Sequence, residues 1–475
     1  MILNRRSFLL RASTAGGAFL CAANRDLRTA FAAEAGRKPN VVFVLADDWG
    51  WGDLGCYGHP HLKTPFLDEL AREGILFTQA YVNAPVCSPS RTAFMTGHFP
   101  ARHGIHGHFA GKKLNEQRDM PQFLDPGVTT VTRLFQDAGY AVGHFGKWHL
   151  GGGPGENGDL SAPPPSAYGI DESRVYVGNG PNWEEVADFI PRSSELIVDE
   201  TIRFIVQHSD KPFFVQTWLK DSHAFLDPTE EQRAPYKKFG GALETYYGVI
   251  TNADRYLGRL LECLYDFGLA GNTIVIFSSD NGPEDIHVAN ASHSGVGSAG
   301  PFRGRKRSLY EGGLRVPLIV RWPGKTPAGQ VNDSTVISGV DFLPTMCALA
   351  GITPPEGLSC DGEDLSEALL GEPVLRDKPL FWEFRSGVAG DVINHSPWLA
   401  VRDGDWKLLL NPDGSRRELY NILQDPRELD NQAQDRPRLT KRLEKAALAW
   451  QATLPKAYVS KDAGKDSYRW PEKNQ

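Results

Sequence analysis

Four short apolar runs constrain this chain more than any other feature, because each breaks off into a cluster of charged or amide side chains. Residues 40–45 read Asn-Val-Val-Phe-Val-Leu and lead into Ala46-Asp47-Asp48. Residues 140–145 lead into Gly146-Lys147-Trp148-His149. Residues 212–219 end at Lys220-Asp221-Ser222-His223, and residues 273–277 at Ser278-Ser279-Asp280-Asn281. Runs this short and unbroken predict strands buried on both faces. A fifth spans 316–320. Helical patterns lie between them: from the Thr64-Pro65 cap to Gly74, from Thr130 to Ala138 before Gly139, from Ser194 to 207, and over 242–267. This alternation predicts an α/β fold with a large, open, mostly parallel sheet sandwiched by helices. Ligand sites in such sheets lie at the carboxyl ends of the strands. Asp47, Asp48, Lys147, His149, His223, Asp280 and Asn281 are therefore expected to meet on one edge.

The character changes near residue 371. Short strands at 380–384, 398–402, 406–410 and 418–420 are joined by turns such as Asp403-Gly404 and Asp413-Gly414, and a helix follows near 439–454. We read residues 34–372 as one large domain and 373–475 as a small subdomain of antiparallel sheet plus helix. The Gly/Pro-rich stretch 151–181 reads as a substrate-facing loop. Trp183 and Trp218 are candidates to stack on a sugar ring, although aromatic residues on such elements belong more often to a core.

The first 33 residues read as an export signal rather than fold. Asn4-Arg5-Arg6-Ser7-Phe8-Leu9-Leu10 resembles a twin-arginine motif, an apolar stretch follows, and Ala30-Phe31-Ala32 is an A-x-A-type cleavage site. This predicts export by the twin-arginine machinery to the periplasm or beyond. No other apolar run approaches the length of a bilayer span. Cys21 stands in a poor match to a lipoprotein box. Cleavage removes five arginines and one aspartate, a net loss of four positive charges from a chain already at −7. So acidic a surface disfavours nucleic acid as a partner, and an anionic substrate needs a local cationic site. Cys56, Cys263, Cys347 and Cys360 allow three disulfide pairings, and free buried thiols fit folding before export equally well.

Residues 84–97 carry the chemistry. Cys87 precedes Pro89, Ser90 and Arg91, and a short helix closes at Gly97. Cys87 is expected at the helix N-terminus, where free N–H groups suit an anion, with Arg91 one turn on. That is a reactive side chain beside an anion site. Asp47-Asp48 and Asp280-Asn281 offer oxygen ligands only, a set that suits Ca²⁺ or Mg²⁺ better than Zn²⁺.

The string Cys-x-Pro-Ser-Arg with Thr-Ala-x-x-Thr-Gly, together with Gly146-Lys147-Trp148-His149-Leu150-Gly151, resembles the type I sulfatases. These are the arylsulfatase-like branch of the alkaline phosphatase superfamily, and the resemblance spans nearly the whole mature chain. It implies that a formylglycine-generating enzyme oxidises Cys87 to Cα-formylglycine. It implies Ca²⁺, ahead of Mg²⁺, held by Asp47, Asp48, Asp280, Asn281 and residue 87. It assigns Lys147 and Lys306 to the sulfate, with Arg305 and Arg307 as alternatives to Lys306. Arg91 is matched to the formylglycine, His149 to the base acting on its hydrate, and His223 to the proton donor for the leaving oxygen. Around His223 the string Ser-His-Ala-Phe-Leu departs from the common Pro-His-x-Pro pattern. The implied reaction is an in-line displacement at sulfur by the hydrated aldehyde, on a sulfated small molecule or glycan. Two alternatives stand beside it: a phosphodiester or phosphonate ester hydrolase of the same superfamily, and a non-catalytic protein that binds sulfated glycans.

Overall fold

The computed structural model describes residues 37–465 apart from 154–158, 184–185, 187, 286–292 and 389. The expected export signal, Cys21 included, lies outside the described residues.

The four apolar runs that end in polar clusters become adjacent parallel strands. β1 (Asn40–Ala46) sits at the centre of a nine-stranded sheet, with β2 (Ile75–Tyr81), β3 (Ala141–Lys147), β4 (Glu172–Tyr176), β5 (Phe213–Trp218), β6 (Thr273–Ser279), β7 (Arg315–Arg321), β8 (Gln330–Asn332) and β9 (Ile337–Ser338). The order is β4-β3-β5-β1-β6-β7-β2-β8, with β9 also on β2. Only β7 runs against the rest: it is antiparallel to both β6 and β2, while the other pairings are parallel. The register aligns the strand ends. Leu45 lies opposite Trp218 and Ala46 opposite Ser279, so the residues that follow all emerge on one edge.

Both faces of the sheet are covered, which is why its strands do not alternate. Val42, Val44 and Ala46 face a core built with helices α1 (Pro65–Glu73), α4 (Phe189–Gln207) and α5 (Gly241–Asp266). Val41, Phe43 and Leu45 face a second core with α2 (Cys87–Thr96), α3 (Val131–Asp137) and α6 (Phe342–Ala350). That second core also takes in a four-stranded antiparallel sheet, β10 (Leu380–Glu383), β11 (Leu399–Asp403), β12 (Trp406–Leu410) and β13 (Glu418–Asn421), and helix α7 (Pro437–Gln451). Among the described residues no helix is long and apolar enough to cross a membrane.

Two expectations need correction, and others are decided. α4 starts at Phe189, not Ser194; Ser194 is a buried residue inside the helix whose hydroxyl donates to Asp221. The stretch 151–181 is not all loop, because Glu172–Tyr176 adds an edge strand to β3. β2 and α6 carry no polar cluster to mark them and escape a reading based on strand-end chemistry. Trp183 and Trp218 are fully buried and present no ring to a sugar. Cys56, Cys263, Cys347 and Cys360 are free thiols.

An ionic network joins the two sheets. Lys407 on β12, fully buried, lies 2.9 Å from Glu311 and 3.0 Å from Glu428. Glu311 also accepts from the Tyr81 hydroxyl on β2 at 2.6 Å. Breaking a buried pair strands an unpaired charge. Lys407→Ala is therefore expected to lower the unfolding free energy by about 3–5 kcal/mol, measured by urea denaturation against the parent chain.

Candidate active site

Four neighbouring strands, β3, β5, β1 and β6, deliver the polar clusters to one edge. Cys87 enters from across the edge as the first residue of α2. Val86 before it is extended and Gly97 closes the helix in the left-handed region at φ 69°. Every residue of α2 is buried. Gly146 makes room on the β3 side. Its φ is 117°, and a Cβ there would lie 1.8 Å from the Trp218 carbonyl oxygen, so no other residue fits.

The centre is an alternation of buried charges. Lys147 Nζ donates to Asp47 at 2.6 Å and lies 3.6 Å from Cys87 Sγ. Lys306 Nζ bridges both oxygens of Asp48 at 2.6 and 2.7 Å. Arg91 Nε and Nη2 donate to one oxygen of Asp280 at 2.9 and 2.7 Å. Asn281 Nδ2 donates to Asp48 at 2.7 Å. Burial alone would raise the Asp47 carboxyl, but Lys147, His223, Arg91 and Lys306 around it hold it far below the carboxylate range. Burial lifts the Cys87 thiol, so it stays protonated despite Lys147 and Lys306.

One spot inside this cluster could hold a cation. Asp47, Asp280 and Cys87 each place a ligand atom within 4.8 Å of the others. Asp47 Oδ1 and Asn281 Oδ1 are buried with no hydrogen-bond donor. Orphaned buried oxygens in a dry site are costly, and a hard cation satisfies them.

Two histidines flank the centre. His149, at φ 54°, donates from Nε2 to the Phe109 carbonyl at 3.0 Å and leaves Nδ1 buried and unpartnered. Burial, with Lys147 next, holds it well below an ordinary histidine, so Nδ1 carries a lone pair at neutral pH. His223 is half-buried and donates from Nδ1 to the Ala224 carbonyl at 2.9 Å. Burial, Lys147 and Lys306 lower it to about 4.

All ten residues picked from the sequence thus lie in or beside one cluster. Of the two alternatives to Lys306, Arg305 is spent on the backbone carbonyls of Glu284, Gly295 and Gly297. Arg307 is tied to the Glu284 carboxylate. Three neighbours were missed. Glu284 stands 3.8 Å from Lys306 Nζ. Asp221 is buried and accepts from Ser193 and Ser194. Lys220 is buried beside the His223 loop. Position directly after an apolar run marks Lys220 and Asp221 as plainly as His223, the one of the three chosen there.

The chain resembles known proteins over most of its length. A sulfatase profile matches residues 39–352, and a profile for the C-terminal part of N-sulphoglucosamine sulphohydrolase matches 300–451. The chain is 34% identical to N-acetylgalactosamine-6-sulfatase of Canis lupus familiaris, over 74% of this chain and 69% of that one. It is 34% identical to arylsulfatase A of Homo sapiens, over 83% and 79%. Among solved structures, Ps i-CgsB in complex with k-i-k-neocarrahexaose superposes with a TM-score of 0.74 at 25% identity, covering 88% of this chain and 94% of that one.

Beneath the charged centre lies an aromatic floor. The Arg91 guanidinium sits 5.1 Å from the Trp218 ring centroid. His144 on β3 stands edge-on to both Trp148 and Trp218 at 5.0 Å and pairs with Gln216 at 2.9 Å. Burial lowers His144 from 6.5 to about 3. A histidine depressed in the fold binds its proton only after unfolding between those values. Its contribution is complete above pH 6.5 and is lost as pH falls toward about 3. Each such group adds a slope of about 1.4 kcal/mol per pH unit. Urea unfolding across this range is expected to show a slope shallower by one proton in His144→Phe than in the parent.

Proposed function

The chain belongs to the sulfatase family of the alkaline phosphatase superfamily, and from that premise we propose that it is an exported sulfuric ester hydrolase that removes sulfate from carbohydrates through a Ca²⁺ site and a formylglycine derived from Cys87. The observation that carries the reading is the convergence of Asp47, Asp280 and Cys87 within 4.8 Å, with Lys147 Nζ 3.6 Å from the sulfur. A sulfated carbohydrate as substrate is supported by the names of the relatives, one a sulfatase of N-acetylgalactosamine and one solved with a neocarrahexaose. Residues 34–372 would form the catalytic domain and 373–475 the smaller subdomain. Residues 1–33 would direct the chain to the twin-arginine machinery, with a periplasmic or secreted destination.

The donor set fits a hard cation, since Asp47 Oδ1 and Asn281 Oδ1 are otherwise orphaned. Ca²⁺ held by Asp47, Asp48, Asp280, Asn281 and the residue-87 oxygen would draw negative charge from the sulfate oxygens and ease deprotonation of the nucleophile. Formylglycine at 87 would supply a hydrated aldehyde, with one oxygen to attack sulfur and a second whose collapse to the carbonyl lets sulfate leave.

The chain's own residues do the rest. Lys147 and Lys306 present ammonium groups to the sulfate oxygens and offset charge that grows in the transition state. Arg91, fixed on Asp280, fills the space behind residue 87 with positive charge. His149 accepts a proton at Nδ1, because its Nε2–H is committed to Phe109. His223 holds the proton for the departing alcohol at Nε2, its Nδ1–H being committed to Ala224. In the substrate-free site it is neutral at pH 7, lowered by burial and the two lysines. A sulfate anion set against Lys147 and Lys306 cancels that field and lets the imidazolium form.

Two outcomes test the reading. After co-expression with a formylglycine-generating enzyme, the tryptic peptide containing residue 87 is expected to carry an aldehyde trapped by hydrazine, and Cys87→Ser to show no multiple turnover; a thiol throughout, or turnover by the serine variant, refutes it. Ca²⁺ at about a hundredfold over its dissociation constant is expected to stabilise the fold by about 2.7 kcal/mol. EDTA should reverse that shift, and Asp280→Asn should abolish it, in a thermal melt.

A further inference from the structure

Lys220 is a buried lysine whose ammonium, among the described residues, forms no ion pair. Burying an ammonium costs several kcal/mol unless its donors are satisfied. Here they go to the chain itself. Nζ donates to the carbonyl of His223 at 3.1 Å and to that of Phe225 at 3.1 Å. The His223 amide donates back to the Lys220 carbonyl at 3.1 Å. The lysine thus closes a tight ring around the backbone that carries His223.

That backbone has little else to hold it. His223 and Ala224 are half-buried, and the Phe225 side chain is 71% exposed. The residues just before are anchored firmly: Asp221 to Ser193 and Ser194 on α4, and the Ser222 hydroxyl to the Asp47 carbonyl. Side-chain packing lapses between Ser222 and Leu226, which returns to the core, and across that gap the ammonium of Lys220 fixes the backbone at His223 and Phe225. Burial pulls the lysine below its ordinary pKa while Asp221 and Asp47 oppose the shift.

We propose that Lys220 is a positioning residue for His223, holding the loop so that the imidazole keeps its place at the leaving group. The inference rests on the reading of His223 as proton donor. Proton transfer is sensitive to placement, and an error of about 1 Å can lower a rate about a hundredfold. The loss should fall only where a proton is needed. Nitrophenolate leaves readily without one; methoxyphenolate does not.

The test uses matured, Ca²⁺-loaded protein and the nitrophenyl, phenyl and methoxyphenyl sulfates. The variants are Lys220→Met, Lys220→Gln, His223→Ala and the Lys220→Met/His223→Ala pair. Lys220→Met is expected to lose about 10- to 100-fold in kcat/KM on methoxyphenyl sulfate and less than about threefold on nitrophenyl sulfate. Lys220→Gln, which keeps two N–H donors, should fall between it and the parent, and carries the same comparison if the methionine variant does not fold. In the His223→Ala background Lys220→Met should change the rate less than about twofold, since it acts through a group already gone. Equal losses across the three esters, or losses that add in the double variant, overturn the inference and leave the sulfatase reading standing. A His223→Ala enzyme with an unaltered leaving-group dependence overturns both the inference and the role of His223.

Discussion

The centre of this protein depends on a charge balance held out of water. Asp47, Asp48 and Asp280 are each matched to one cation, Lys147, Lys306 and Arg91, and all six side chains are buried. At low dielectric neither set is stable without the other. The balance is neutral before anything binds. A divalent cation would carry it to plus two, which a sulfate monoester and an ionised nucleophile together would cancel. Once a cation were bound, the site would return to neutrality only with both anions in place, and this would put selectivity for an anion in the interior of an otherwise acidic protein.

The sheet makes that balance affordable. Parallel strands with aligned ends put Asp47, Lys147, His223 and Asp280 on neighbouring loops, although they are scattered across more than two hundred residues of chain. The two cores above and below fix the strands, and α2 seals the edge with Cys87. The small sheet then leans on the same core and is joined to it by Lys407 and Glu311.

Much of this was legible in the sequence, for a physical reason. Strands buried on both faces must be apolar throughout, so the point where polarity returns marks the strand end and the site together. Asp47-Asp48 and Asp280-Asn281 are found that way with no other knowledge. The pairings were not legible. Nothing in the order of residues says that Arg91 takes Asp280 while Lys306 takes Asp48, because those depend on side-chain reach across the edge. α4 was begun five residues late because Ser194 imitates a helix cap, when its hydroxyl in fact serves Asp221. Edge strand β4 was hidden in a Gly/Pro-rich stretch since, half-exposed, it lacks the apolar run that marks its neighbours.

The burial of α2 sets an order of events. Cys87 is 2% exposed at the base of a helix with no residue at the surface. Its thiol lies beside Lys147, and in the folded chain the backbone around it is too enclosed for the active site of another protein to close over it. A protein catalyst of the proposed change at residue 87 would therefore have to meet it as an open strand of polypeptide, before the sheet closes over it. Folding would then act as a deadline: a chain that collapsed first would keep its thiol, and the ratio of the two forms in a preparation would record a race between an enzyme and a fold.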